Sequence, residues 1–301
     1  MATIKNWISA FRPRTLFLAV ATTLCGSGMA LSVGKFDGYV FILTMLTATI
    51  LQLLSNLAND YGDYQHGTDI TGERVGPTRT LQSGAITSHQ MKIVMYITVA
   101  TAMIVGAGLV YIALQFMSVW YIILFLLLGA ASIVAAIRYT AGKNPYGYKG
   151  LGDLFSFVFF GPVSVVGTYF LHTHTMGFRP WLPAIALGFF TVCVLNINNM
   201  RDIENDRKSG KITIPVRLGL RKAKLYHAVL TLGAIACFVV YSLLYSLHWY
   251  QHLYLLVALL FFKILSDIFH PKEGKALDPY LKYTSLSACI LSILFCICIN
   301  A

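Results

Sequence analysis

Apolar runs long enough to cross a membrane recur along this chain, and nothing else in it constrains the fold so strongly. A helix crossing the hydrocarbon core needs about 20 predominantly apolar residues. Nine stretches fit that requirement: 15–33, 39–58, 91–114, 119–139, 151–172, 181–199, 225–247, 251–269 and 280–300. The charge content agrees. Only 12% of the 301 residues are charged, whereas 57% are hydrophobic, and a soluble domain carries about 25% charged residues. Too few charges are present to cover the chain in water. The expected fold is therefore all-α and membrane-embedded. Between the fourth and fifth runs lie Gly142, Pro145, Gly147 and Gly150, residues that break helices. The first run is too long for the apolar segment of a signal peptide, and no small-residue cleavage site follows it, so it reads as a retained helix.

Basic residues fix an orientation. With nine crossings, all but two of the 23 Lys and Arg fall on the side of the N-terminus, and only Lys35 and Arg179 fall on the other. Positive charge marks the cytoplasmic side. The N-terminus is then expected in the cytoplasm and the C-terminus outside. The net charge of +11 follows largely from this topology and needs no nucleic-acid partner. Some of it suits an anionic substrate or lipid headgroups.

The acids are not spread in the same way. Only twelve Asp and Glu occur. Asp60, Asp63, Asp69 and Glu73 lie just after the second run, and Asp202, Glu204 and Asp206 just after the sixth. Asp153 stands at the start of the fifth. All are on the expected cytoplasmic side. Asn56 with Asp60, and Asn59 with Asp63, are four apart and share helix faces. Asn198, Asp202 and Asp206 repeat that spacing, which would stack them along one face over two turns. A helix C-terminus disfavours negative charge, so carboxylates placed there need a reason beyond capping. Hard cations supply one: magnesium takes oxygen ligands, commonly one or two carboxylates together with phosphates and water. Two such faces opposed across a cavity would hold two or three magnesium ions and leave positions open for a diphosphate. Each cluster follows an even-numbered run. The chain thus reads as one transmembrane domain, 1–301, with pseudo-repeat halves at roughly 15–140 and 151–270 and a ninth helix at 280–300.

The first cluster resembles the first Asp-rich motif of the UbiA superfamily of membrane prenyltransferases, N-x-x-x-D followed by a further Asp, here Asn59, Asp63 and Asp69. The last spacing is six where four is usual, as in naphthoquinone-type members. The second cluster resembles that superfamily's N-x-x-x-D-x-x-x-D motif, as Asn198, Asp202 and Asp206. Three stretches resemble the branch that prenylates 1,4-dihydroxy-2-naphthoate in menaquinone synthesis: NLANDYGDYQHGTD, YTAGKNPYGYKGLGDLFSFVFFGPV and NNMRDIENDRKSGKITIPVRLG. The segment Ala141–Gly142–Lys143–Asn144–Pro145 departs from that branch's more usual GGPYP.

The resemblance implies nine transmembrane helices around a central cavity that opens towards lipid. It implies magnesium as cofactor, held by Asn59, Asp63, Asp202 and Asp206, with Asp60, Asp69 and Asn198 as further ligands. The substrates implied are a polyprenyl diphosphate and an aromatic acceptor, with 4-hydroxybenzoate and homogentisate as alternatives to the naphthoate. The enzyme would work in the bacterial cytoplasmic membrane. Arg79 is the first choice to bind phosphate, because the superfamily has an Arg before its L-x-S-G. Lys143, Lys149 and Arg201 are further choices, and each serves equally well as a determinant of topology. Aromatic faces stabilise cations, so Tyr61, Tyr139, Tyr146 and Tyr148 are candidates beside an allylic cation, although any one of them could be packing. Asp153 either orients the acceptor and helps remove a proton, or caps the fifth helix.

Other readings fit less well. A transporter places its charges near the bilayer midplane, whereas these acids sit at one membrane face. A binding protein with a dead site would not be expected to keep every acid. The six cysteines all lie in apolar runs without metal-type spacing and read as packing residues. His172 and His174 fall on the side opposite the acids, where a surface role is expected.

Overall fold

The computed structural model describes residues 2–68, 79–246, 248–270 and 274–301. Among these, nine helices are long and apolar enough to cross a membrane. They follow the apolar runs, with differences at the ends that matter for the site. The chain starts with a short helix that the run pattern does not reveal, α1 (Ile4–Phe11). Its Ala10 packs inward against α3, while Ile4 and Ile8 are exposed. This short amphipathic segment is the kind that lies along an interface. Arg12 then turns the chain with a left-handed φ of 49°, and Pro13 opens α2 (Pro13–Leu31).

Helix α3 (Gly38–Gln65) starts at Asp37, whose carboxylate accepts from the amides of Tyr39 and Val40 at 2.8 and 2.9 Å. It runs well past the end of its apolar stretch. Helix α4 (Ser88–Leu114) starts with a reciprocal cap between Thr87 and Gln90. Helix α5 (Val119–Arg138) follows. The fifth crossing has three parts: α6 (Gly152–Val158), a π-helical stretch (Phe159–Val166) and α7 (Gly167–Thr173). Pro162 within it has no amide to donate, and a wider helical turn accommodates that gap.

Helix α8 (Trp181–Arg201) is followed by two short helices, α9 (Ile203–Lys208) and α10 (Ile214–Leu218). The last three crossings are α11 (Leu220–Tyr245), α12 (Ala258–Phe269) with a 3-10 lead-in from Trp249, and α13 (Asp278–Asn300). Helix α8 is the most buried crossing and α5 the least. The main core lies between α8, α11, α12 and α13, where Phe190 stacks on Phe261 at 3.9 Å and Phe295 meets Phe238, Tyr241 and Tyr254 edge-on.

Glycines set two close approaches of α2. A Cβ on Gly28 would meet Cys296 Sγ at 2.2 Å, and one on Gly26 would meet the Val165 carbonyl at 2.6 Å. These positions bring α13 and the π-helical crossing against α2, which closes the bundle on one side. At the face opposite the acids, His172 is buried rather than on the surface. Its Nδ1 accepts from the Asp37 amide at 3.2 Å, its Nε2 bonds Ser27 at 3.0 Å, and Phe36 stacks on it. Apolar flanks hide such polar partners from a sequence reading. His174 is exposed, as expected, and bonds the Ala113 carbonyl.

Overfilling the α2–α13 contact has a predictable cost. Gly28→Val is expected to destabilise the bundle by about 1–3 kcal/mol, seen as a lower unfolding midpoint in detergent. Gly108→Val, where a Cβ meets nothing within 4 Å, is expected to stay within about 0.5 kcal/mol of the parent.

Candidate active site

The first acid cluster sits in the last turns of α3. Because the helix continues to Gln65, Asn59 and Asp60 lie within it rather than beyond it. Glycine places this segment: a Cβ on Gly62 would lie 2.4–2.5 Å from the backbone of Thr140, so α3 rests directly on the chain leaving α5. Asp60 and Asp63 are both buried, and burying carboxylates requires partners. Arg79 forks across the two, with Nη1 on Asp60 and Nη2 3.0 Å from Asp63 Oδ2. Arg12, brought round by its left-handed turn, donates to Asp60 as well. Tyr148 donates its hydroxyl to Asp63 Oδ1 at 3.0 Å. The amide of Asn56 bonds the Phe11 carbonyl at 2.8 Å and Thr15 at 2.9 Å, which fixes the α1–α2 corner. Asn59 differs from its neighbours: its Oδ1 is buried and has no hydrogen-bond partner. Asp69 lies outside the described residues.

The second cluster differs from its expected shape. Asn198, Asp202 and Asp206 do not share one straight helix, because α8 ends at Arg201 and the chain bends at Asp202 (φ −102°, ψ 19°). Backbone bonds four residues apart still bridge the bend, from Asp202 to the Asn198 carbonyl at 3.2 Å and from Asp206 to the Asp202 carbonyl at 2.8 Å. Arg201 sits at the bend. Its guanidinium turns back along the chain, bonding Asp202 through Nε at 3.1 Å and through Nη2, and Asn198 Oδ1 at 2.9 Å. Its Nη1 reaches Asp278 at the start of α13, and Asp278 also accepts from Arg14 at 3.1 Å.

The two clusters meet across Lys211. Its buried ammonium lies 3.6 Å from Asp63 Oδ1 and 3.9 Å from Asp206 Oδ1, and 5.4 Å from the centre of the Tyr148 ring. Burial opposes the charge on Lys211, but Asp63 and Asp206 outweigh it and hold its pKa above the ordinary value.

This face closes one end of a cavity of about 700 Å³. Arg12, Arg14, Asn59, Asn198, Tyr139 and Lys211 line that end, and residues of α2, α3, α4, α5, α8 and the π-helical crossing line the rest. Several of its apolar wall residues, Met103, Leu126 and Val134 among them, are also largely exposed on the lipid-facing surface. Tyr139, Tyr146, Phe155 and Phe159 form an aromatic ledge in the wall, with Tyr146 stacked on Phe155 at 4.1 Å. Two glycines seat Tyr139: Cβ atoms on Gly147 and Gly152 would meet its ring at 2.7 and 2.9 Å. Burial pushes the Tyr139 phenol up to about 12, so it stays protonated at neutral pH. Burial, and then Asp63, raises Tyr148 in the same way.

Other sequence-predicted residues lie elsewhere. Lys143 and Lys149 are exposed and are not part of the cavity wall. Asp153 is buried in the first turn of α6, but Leu151 occupies the cap position, so Asp153 does not cap the helix. Its carboxylate accepts from Tyr226 of α11 at 2.9 Å, away from the cavity lining. Sequence reasoning missed Lys211, Asp278, Arg12 and Arg14. Only Asp278 left a usable signal, as one of few acids, standing next to an apolar run.

The arrangement suits a hard cation and a polyanion. No three His, Cys, Asp or Glu side chains converge on one point among the described residues. The oxygen-only donors of both clusters and the orphaned Asn59 Oδ1 nevertheless fit magnesium. The adjoining guanidinium and ammonium groups fit phosphate oxygens.

Comparison with known proteins points the same way. Residues 19–298 match the UbiA prenyltransferase family. The chain is 43% identical over 292 residues to the 1,4-dihydroxy-2-naphthoate octaprenyltransferase of Escherichia coli K12, covering 97% of this chain and 94% of that protein. Its fold resembles the apo structure of a UbiA homolog from Aeropyrum pernix K1, with TM-score 0.71 and 18% identity over 94% of this chain and 97% of that one. It also resembles a UbiA homolog from Archaeoglobus fulgidus bound to DMAPP and Mg2+, with TM-score 0.64 and 14% identity over 96% and 99%.

Gly62 provides a test of how tightly the first cluster is positioned. Gly62→Ala must push α3 off Thr140 and displace Asp63. Displacements of about 1 Å at a reacting centre cost roughly 100-fold in rate, so turnover is expected to fall on that order while the protein stays folded by circular dichroism.

Proposed function

The chain belongs to the UbiA prenyltransferase family, and on that premise we propose that it transfers a polyprenyl group from polyprenyl diphosphate to 1,4-dihydroxy-2-naphthoate. Carbon dioxide and diphosphate leave, and the product is the quinol form of a demethylmenaquinone, which reaches the quinone only through a separate two-electron oxidation. The observation that carries this reading is the meeting of two acid clusters across Lys211 at the polar end of an apolar-walled cavity. The 43% identity to a naphthoate octaprenyltransferase supports the choice of acceptor.

Asn59, Asp60, Asp63, Asn198, Asp202 and Asp206 would hold magnesium, with Asp69 as a further ligand. Bound magnesium neutralises the diphosphate and makes it a better leaving group. The protein's own groups do the rest. Arg79 spans Asp60 and Asp63 and fixes their spacing. Arg201 aims Asp202 and is itself held by Asp278. Tyr148 orients Asp63. Arg12, Arg14 and Lys211 line the cavity end where the diphosphate would lie, so they take the phosphate-binding role that the sequence assigns to Arg79, Lys143, Lys149 and Arg201.

The prenyl tail lies along the apolar wall. The ledge of Tyr139, Tyr146, Phe155 and Phe159 faces the reacting carbon, where aromatic faces stabilise an allylic cation and stack on the acceptor ring. Asp153, held by Tyr226 outside the cavity lining, anchors α6 to α11.

The chain is a multi-pass membrane protein. We place it in the bacterial cytoplasmic membrane with its N-terminus and active site on the cytoplasmic side and its C-terminus outside. The support is the charge bias that leaves Lys35 and Arg179 alone on the other face. Its pseudo-repeat halves, 15–140 and 151–270, each carry one acid cluster at the end of a long helix, with the ninth helix bracing the second through Asp278.

A product assay tests the reading. Purified protein in detergent, given magnesium and a long prenyl diphosphate, should prenylate 1,4-dihydroxy-2-naphthoate. Asp63→Ala and Asp202→Ala should each lower the rate by at least about 100-fold, and chelation of magnesium should abolish product. Product from 4-hydroxybenzoate alone would keep the chemistry and overturn the acceptor. No prenylated product from any acceptor would overturn the reading as a whole.

A further inference from the structure

Lys211 differs from the other cations of the site in how it is held. Arg79 forks onto two carboxylates, and Arg201 is pinned by Asn198, Asp202 and Asp278. These are directional, charge-assisted hydrogen bonds that set a guanidinium in one place. The Lys211 ammonium instead stands 3.6 and 3.9 Å from Asp63 and Asp206, beyond ordinary hydrogen-bond length. Charge holds it there, on a flexible four-carbon stem.

Its backbone, by contrast, is fixed. The Lys211 amide donates to the Asp206 carbonyl at 2.8 Å, and the next amide, of Ile212, donates to the Tyr148 carbonyl at 3.0 Å. The side chain thus extends from a fixed base on rotatable bonds. It also lines the cavity, on the side where the diphosphate would lie.

We propose that Lys211 is an exchangeable internal cation, which neutralises the facing carboxylates of Asp63 and Asp206 in the empty site and turns onto the diphosphate when metal and diphosphate enter together. The inference rests on the magnesium reading above and extends it. A divalent ion entering alone between Asp63 and Asp206 would sit within a few ångströms of the ammonium, and like charges at that range repel. A diphosphate entering with it gives Lys211 a new partner and removes the conflict. Lys211 thereby couples the two ligands: each binds more tightly in the presence of the other, by the same factor. Without bound ligand its positive charge offsets the repulsion between the two buried carboxylates.

The test is binding, not turnover. Mn2+ serves as the probe, titrated alone onto the full chain in detergent and followed by electron paramagnetic resonance. Lys211→Met is expected to bind Mn2+ alone about tenfold more tightly than the parent, and Lys211→Arg to bind it as weakly as the parent. In parallel, magnesium and inorganic diphosphate together should raise the unfolding midpoint of the parent by more than the sum of their separate effects. Lys211→Met should lose that excess.

Equal Mn2+ affinity, within twofold, in the parent and Lys211→Met would overturn the exchange while leaving the magnesium reading intact. Absence of any metal effect on the parent, with or without diphosphate, would overturn both. If neither Lys211→Met nor Lys211→Gln folds, Lys211 is a fixed structural counter-ion and the proposal fails.

Discussion

The structure depends above all on the neutralisation of buried carboxylates at one membrane face. Asp60, Asp63, Asp202 and Asp206 are each less than a tenth exposed, and an isolated charge so placed would be prohibitively costly. Arg12, Arg79, Arg201 and Lys211 make the burial tolerable. Most of these pairings also connect the bundle, because their partners come from separate elements. Arg12 ties the α1–α2 corner to α3. Arg201 and Arg14 tie α8 and α2 to α13 through Asp278. Lys211 ties α3 to the chain after α9. The residues proposed to handle the diphosphate therefore also set the register of the helices on which they stand.

Packing below that face serves the same end. Small residues bring α2 against α13 and against the π-helical crossing, and the aromatic core around Phe190 and Phe295 holds α8 in place. Helix α8 carries the second cluster and is the most buried crossing, so its end is packed on several sides by neighbouring helices. On the other side, α5 is the least buried and forms part of the cavity wall. A rigid motif-bearing half and a lipid-facing wall suit a substrate with a charged head and a long apolar tail. The tail needs no measured pocket, whereas the head needs fixed partners.

The ledge shows how backbone chemistry positions a side chain. Gly147 and Gly152 leave room for the Tyr139 ring, where any Cβ would overlap it. Their place in YGYKGLGD thus has a physical reason, independent of loop flexibility. The π-helical turn at Pro162 has a comparable effect, shifting the face that Phe159, Phe160 and Val163 present to the cavity.

Much was legible in the sequence, because hydropathy and charge are local quantities. The nine crossings, the one-sided basic residues, and the two Asn/Asp clusters with their spacing of four all follow from counting along the chain. A helix periodicity then puts Asn59 with Asp63 on one face wherever that helix goes. Tertiary structure alone decided which charges meet. Asp63 and Lys211 lie 148 positions apart, and Arg201 and Asp278 lie 77 apart; nothing local links them. The same limit explains the exposure of Lys143 and Lys149, the burial of His172, the removal of Asp153 from the cavity and the bend at Asp202. For His172 and Asp153 a partner from another helix, Ser27 and Tyr226, outweighed local preference, and only helix packing brings such partners within a few ångströms.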